Sequence, residues 1–323
     1  MAKSYIGLDI ESSEVYMSTS DGKTVFRQMP ENLVKDGKVV SPESLSKFLK
    51  EVKKEGGIGG KNISFVLPDD ATFFRNVNSP AVSDAQLKLN LPYEFRDFVG
   101  NNSIDYNYDY VVTSYEYDEN ENVTGLNLLA AAANKKTVNE YFDILKRAGL
   151  KMKTALPREM ALINIMNGVE DDKKEYCLVG VGYNQTNIYI FKGQKLTATK
   201  MIDVACRDID IAIASNQNID LFLAASHRDH NHNDVLSSEY LKSTYEKIAL
   251  EIMKTINFYK YENQDSSLKD IYYFSMGCDN KPLKDTINSY IDFTEKDIRD
   301  LLPDEFKNNE DADRCLLSIG VTL

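Results

Sequence analysis

The stretch Tyr5-Ile6-Gly7-Leu8-Asp9-Ile10-Glu11-Ser12-Ser13 decides the reading of this 323-residue chain. Apolar residues run into a hydroxyl-rich turn. A strand and turn of this kind aims an aspartate and backbone N–H groups at a phosphate and its metal. Glu11 works against that use, because a carboxylate beside a bound phosphate chain is repelled. The local fold is expected intact and the chemistry weakened or lost.

Working outward, 323 residues suit two lobes with substantial cores, and a hydrophobic content of 42% argues against disorder. The net charge of −12, with no concentrated basic patch, speaks against binding nucleic acid or anionic lipid. Met1-Ala2-Lys3-Ser4 leads straight into the first strand, so no signal peptide is expected. The longest apolar run, 126–133, is interrupted by Asn127 and is too short to cross a bilayer. Cys177, Cys206, Cys278 and Cys315 lie far apart with no CxxC pair, and read as buried thiols in a reducing compartment.

Pattern and punctuation predict strands over 5–10, 15–19 and 24–28, with Asp21-Gly22 as a hairpin turn. Ser41-Pro42-Glu43 opens a helix, and Gly56-Gly57-Ile58-Gly59-Gly60 breaks the chain as a loop, since it lacks the Lys-Ser/Thr of a P-loop. A strand over 62–67 follows. Near Phe73 a different unit begins. Ser83-Asp84-Ala85-Gln86 reads as a capping box, and Pro92 is expected to kink the helix it starts. Strands over 106–117 and 126–133 come next. A second capping box at Thr137-Val138-Asn139-Glu140 opens a helix that Gly149 closes. After a helix begun by Pro157, a second strand series (176–181, 188–191, 195–203) opens another lobe. It continues with a long helix over 237–261, a strand over 270–275 and a helix over 282–290. Both halves open on a strand meander, as a duplicated pair of lobes with a ligand cleft between them requires.

Gly7-x-Asp9-x-x-Ser12-Ser13 resembles the first phosphate loop of the actin-like ATPases. The order of further segments resembles the PilM family of type IV pilus assembly across nearly the whole chain. These segments are Phe73-Phe74-Arg75-Asn76-Val77 before Pro80-Ala81-Val82-Ser83, then Leu91-Pro92-Tyr93-Glu94-Phe95-Arg96-Asp97-Phe98. The strand over 128–133, the helix over 141–150, Phe258-Tyr259 and the run 316–320 complete the series. The cell-division relative FtsA shares the layout but carries a basic amphipathic tail, which Val321-Thr322-Leu323 does not match. The resemblance implies an α/β actin-like ATPase fold, two duplicated ribonuclease-H-like lobes with an inserted α+β subdomain in the first. The expected divisions are 1–72 for the first lobe, completed by a helix over 312–323, then 73–150 for the insert and 151–311 for the second lobe.

The resemblance also implies three nucleotide loops, each altered here. In the first, Asp9, Ser12 and Ser13 are kept, Asp9 as the holder of magnesium; Glu11 replaces glycine and Tyr16 replaces a lysine. In the second, Gly180-Val181-Gly182-Tyr183-Asn184-Gln185-Thr186 keeps Gly182 and Thr186 and loses the acidic residue. In the third, Ser275-Met276-Gly277-Cys278 keeps only Gly277. Glycines in such a loop let backbone approach a ligand. The implied cofactor is therefore none, or weakly bound Mg-ATP, with at most residual hydrolysis.

The implied role is a cytoplasmic scaffold, held at the inner face of the membrane by the cytoplasmic tail of a PilN-type protein that lies extended against the insert. Arg75, Tyr93 and Phe95 are the candidate contacts. An ATP-binding switch and a filament former are the alternatives. All three histidines fall in His227-Arg228-Asp229-His230-Asn231-His232-Asn233-Asp234, read as a solvated loop between two helices rather than a metal site because Asn and Asp favour turns. Tyr106, Tyr108, Tyr110, Tyr115 and Tyr117 are candidates for an exposed aromatic binding face; alternation places the first three on one side of a strand, where core packing explains some of them.

Overall fold

The computed structural model describes residues 5–30, 32–35, 38–276 and 280–323. The first lobe is built on β1 (Ile6–Ile10), β2 (Glu14–Thr19) and β3 (Thr24–Gln28), followed by the short pair β4 (Val34–Lys35) and β5 (Lys38–Val39). Next come α1 (Pro42–Glu55) and β6 (Asn62–Val66). β1, β2 and β3 form an antiparallel meander, while β6 runs parallel to β1 with Leu8 opposite Phe65.

The insert follows: β7 (Thr72–Pro80), α2 (Asp84–Glu94), α3 (Arg96–Val99), β8 (Tyr106–Tyr117) and β9 (Val123–Asn134). The chain then returns through α4 (Lys135–Arg147), β10 (Lys151–Leu156) and α5 (Arg158–Met166). The second lobe repeats the plan with β11 (Glu175–Gly182), β12 (Thr186–Lys192) and β13 (Lys195–Ile202). It continues through α6 (Cys206–Gln217), α7 (Leu221–Asp229), α8 (Lys242–Glu262), β14 (Asp270–Met276), α9 (Lys281–Tyr290) and β15 (Thr294–Lys296). The short helices α10 (Asp304–Lys307) and α11 (Leu316–Gly320) close the chain.

The two five-stranded sheets have matching orders, β10-β6-β1-β2-β3 and β15-β14-β11-β12-β13. All of β1 and β11 is buried, as expected of central strands covered on both faces. On the outer face of the first sheet, Leu45 and Leu49 of α1 and Ile144 and Leu145 of α4 meet Leu8, Ile63 and Phe65. The outer face of the second sheet is covered by α6, α8 and α9 through Ile209, Ile252 and Ile287. The inner faces share one core, in which Tyr16 and Val66 pack with Leu178, Tyr189 and Phe191 around Leu162 of α5 and Leu317 of α11.

The insert has its own small core. Its sheet, ordered β7-β9-β8, carries Val77, Leu128 and Ala130 on the face that packs Leu87, Leu91 and Phe95 of its helical segment. Alternation along β9 sends Leu129 and Ala131 to the opposite face.

Several expectations shift. α4 starts after Asn134, whose side-chain oxygen accepts from the N–H groups of Lys136 and Thr137, so the cap lies three residues before Thr137. Asparagine is the stronger cap, and it wins. The segments 135–150 and 151–156, expected in the insert and in the second lobe, belong to the first lobe, α4 packing on its core and β10 pairing with β6. By packing, the insert spans 72–134. Pro92 sits inside α2 without ending it; the break comes at Phe95. Within the last turn, the missing N–H of Pro92 costs a single hydrogen bond. The strands β10 and β15 had no expectation in the sequence.

Candidate functional site

A cleft of about 450 Å³ opens between the lobes. Its first-lobe wall is Ile10, Glu11 and Ser12 after β1, Pro68, Asp69 and Asp70 after β6, and Arg158 at the start of α5. Its second-lobe wall is the β11–β12 hairpin, Gly182 to Gln185, with Asn187 and Arg207. The hairpin is closed by the Gly182 N–H donating to the Gln185 carbonyl at 3.0 Å.

Arg158 organises the first-lobe wall. Its Nη2 donates to Glu11 Oε1 at 2.7 Å and its Nε to Asp69 Oδ1 at 2.8 Å, with the arginine side chain 6% exposed. Beneath them Asp9 is buried. Burial, and then the charge of Glu11, push its carboxyl well above the usual carboxylate range, with Arg158 opposing. The neighbouring Glu159 is half-buried, and loss of solvation, with the charge of Asp69 adding, raises it to about 7. Among the described residues, two hydrogen bonds cross the cleft: Asn184 Nδ2 donates to Ser12 Oγ at 3.1 Å, and Gln185 Nε2 donates to Asp69 Oδ2.

The residues expected at the nucleotide are only partly brought together. Ser12 and Gly182 line the cleft and Asp9 lies beneath it. Ser13 faces the meander, its carbonyl accepting from the Met29 N–H at 2.7 Å. Thr186 is fully buried, its Oγ1 donating to the Val204 carbonyl at 2.7 Å. Gly277 and Cys278 lie outside the described residues. Tyr16, which stands where a lysine was expected, fills the shared core and donates to Glu14 Oε2 at 2.5 Å. Gly7 has a packing reason: a Cβ there would sit 1.8 Å from the Ser318 carbonyl oxygen of α11.

The first-lobe wall does not fit Mg-ATP. Glu11 and Asp69 hold the guanidinium that would otherwise meet a phosphate, and Asp70 adds a further carboxylate to the lining. The second-lobe wall is more accommodating, since Asn187 Nδ2 is buried and has no hydrogen-bond partner among the described residues. Sequence reasoning missed Arg158, Asp69, Gln185 and Asn187. One signal was present: an arginine in the first turn of an apolar helix, where the helix dipole favours acids.

A second hollow, about 330 Å³, lies between the insert and the first lobe. Leu129, Ala131 and Ala133 of β9 with Phe74 and Val111 form its insert side; Leu67, Leu156 and Met160 form the other. The expected contact residues lie elsewhere. Arg75 is opposite Ala130 in the β7–β9 register, so it faces α2 and α3, where it meets Asp97 at 3.1 Å and lies over the Phe98 ring. Tyr93 is 73% exposed on α2. Phe95 is fully buried in the insert core and has no surface to offer a partner.

In the histidine segment, His227 Nδ1 pairs with Gln217 Oε1 at 2.8 Å, and His230 Nδ1 with the Ser226 carbonyl at 2.9 Å. The rings of His227 and His232 lie 4.5 Å apart. Among the described residues no group of three or more His, Cys, Asp or Glu is placed to hold a metal ion.

With this geometry in hand, comparison with known proteins is specific. Among solved structures, the PilM-PilN type IV pilus biogenesis complex superposes with a TM-score of 0.82 at 17% identity, covering 98% of this chain and 97% of that one. The ethanolamine utilization protein EutJ from Carboxydothermus hydrogenoformans gives 0.61 at 14% identity, covering 100% and 90%. An archaeal actin homolog gives 0.51 at 12%, covering 99% and 98%. These likenesses show an actin-like fold. A search of curated protein sequences finds no match. The family profile described as type IV pilus assembly protein PilM matches residues 7–304, and the chain belongs to that family.

Proposed function

We propose that this protein serves type IV pilus assembly as a scaffold that docks the cytoplasmic tail of a PilN-type inner-membrane protein, without turning over a nucleotide. The hollow between the insert and the first lobe carries this reading. The short side chains of Ala131 and Ala133 leave room along β9, and Phe74, Leu129 and Met160 give apolar walls for an extended peptide. The similar solved structure is that of a PilM-PilN complex, which supports the kind of partner. Among the described residues no helix is long and apolar enough to cross a membrane, and the tail would supply the attachment. A chain of net charge −12 suits neither nucleic acid nor direct binding to anionic lipid.

The test is calorimetric titration of a PilN-type tail peptide. Ala131→Phe should fill the hollow and weaken binding by about tenfold or more, roughly 1.4 kcal/mol, while Tyr93→Ala on the far side of the insert leaves it within about twofold. Unchanged binding to a folded Ala131→Phe protein contradicts the reading. An ATP-binding switch is the second reading. It is favoured by the Asn187 amide in the cleft, a donor with no partner among the described residues that a phosphate oxygen would satisfy.

A further inference from the structure

Edge strands expose unpaired backbone groups, and soluble proteins protect them with lysine, arginine, proline, shortness or cover. This protein follows that rule at seven edges among the described residues, of which β4 and β5 are two residues long each. β3 carries Arg27, β7 carries Arg75 and Pro80, β10 carries Lys151 and Lys153, and β13 carries Lys195 and Lys200. β15 is three residues long and ends on Lys296. The remaining edge has only two register irregularities, at 112–114 and 116–117, and acidic side chains to guard it. β8 is 12 residues long, pairs with β9 alone among the described residues, and contains no lysine, arginine or proline.

The proximal end of β8 is partly occupied. Lys135 Nζ donates to the Ile104 carbonyl at 2.6 Å, and the Tyr110 N–H is taken by Asp109 Oδ1 at 2.9 Å. The distal half is open. Val111, Tyr115 and Tyr117 are 46, 52 and 61% exposed, and the two tyrosine rings lie 6.5 Å apart. The hairpin tip is already ordered, with Asp118 Oδ1 accepting from the N–H groups of Asn120 and Asn122, both at 2.8 Å. An ordered edge lowers the entropic cost of adding a strand.

Charge chooses the occupant. Residues 97–134 contain no lysine or arginine, while Asp105, Asp109, Glu116, Asp118, Glu119 and Glu121 crowd β8 and its turn. A second copy of this edge brings the same charges and is repelled; a basic strand is attracted.

We propose that the distal edge of β8, residues 111–117 with the tip at 118–123, is a second docking surface that takes an extended segment rich in lysine and arginine from another protein by strand addition. It shares Val111 with the rim of the apolar hollow but otherwise uses the free edge of the sheet rather than its face, and does not depend on tail docking there.

The probe is a blocked, dye-labelled peptide alternating Lys or Arg with Val, compared with one carrying Glu at the charged positions. Fluorescence anisotropy should show binding of the basic peptide only, about tenfold or more weaker when salt rises from about 50 to about 500 mM. Hydrogen exchange on the unmodified protein should show new protection confined to 111–123. Tyr115→Lys with Tyr117→Lys, the protection the other edges use, should weaken binding by about tenfold or more with an unchanged melting temperature. No binding of the basic peptide, equal binding of the acidic one, protection elsewhere, or pairing of two copies through this edge overturns the proposal.

Discussion

At the scale of single residues, Glu11 and Arg158 explain each other. Glu11 is where a nucleotide loop wants glycine, and Arg158 answers it from 147 positions away in sequence. Arg158→Met leaves Glu11 and Asp69 without their counter-charge in a mostly buried setting. It should cost about 3–5 kcal/mol, and adding Glu11→Gln and Asp69→Asn should recover most of it. Urea midpoints of the two variants check this. Glu159 supplies a pH signature. Its folded value of about 7 lies above the ordinary 4.5, so its stabilising contribution is complete below about 4.5 and is lost as pH rises through about 7. Relative to Glu159→Gln, the unmodified protein should lose on the order of 1 kcal/mol across that window, after discounting for its partial exposure. A gap that does not grow with pH contradicts the assignment. Asp9, Glu11 and Ser12 were legible because they are adjacent in sequence. Arg158, Asp69 and Gln185 were not, because only the fold makes them neighbours.

At the scale of elements, α11 shows what sequence pattern conceals. It is five residues long, yet it is clamped between β1, β2 and α5 at distances that tolerate no side chain on the glycines. Ser18 and Ser318 hydroxyls meet at 2.6 Å, and a Cβ at Gly320 would lie 2.2 Å from the Ala161 carbonyl. Gly7→Ala or Gly320→Ala should each cost roughly 1–3 kcal/mol or more by forcing α11 away, measurable by thermal denaturation. Gly7, read from its motif as a phosphate-loop glycine, is explained by this packing. Asn134→Ala should remove the cap of α4 at a cost of about 1 kcal/mol. The strands with strong alternation or flanking turns were legible within three residues. β10 and β15 escaped because Lys151, Lys153 and the three-residue Thr294–Lys296 carry no apolar period.

At the scale of the whole molecule, the two lobes are fastened twice. A shared core runs from Tyr16 through α5 and α11 to Phe191, and across the cleft mouth Asn184 reaches Ser12 and Gln185 reaches Asp69. The duplication was legible in the repeated meanders, but the fastening was not, because it depends on where α11 returns. Such a molecule holds its lobes together without a nucleotide, and millimolar Mg-ATP should raise its melting temperature by less than about 1 °C, against several degrees for a ligand at about a hundredfold its dissociation constant. Glu11→Gly should enlarge that shift, since it removes a like charge from the cleft. On the proposed reading, tail docking is independent of the nucleotide cleft. Calorimetric titration of a PilN-type tail peptide into the unmodified protein, with and without millimolar Mg-ATP, tests it most directly. The two dissociation constants should agree within about twofold. Docking that appears only with Mg-ATP, or tightens about tenfold or more in its presence, would contradict it and make the protein a nucleotide switch.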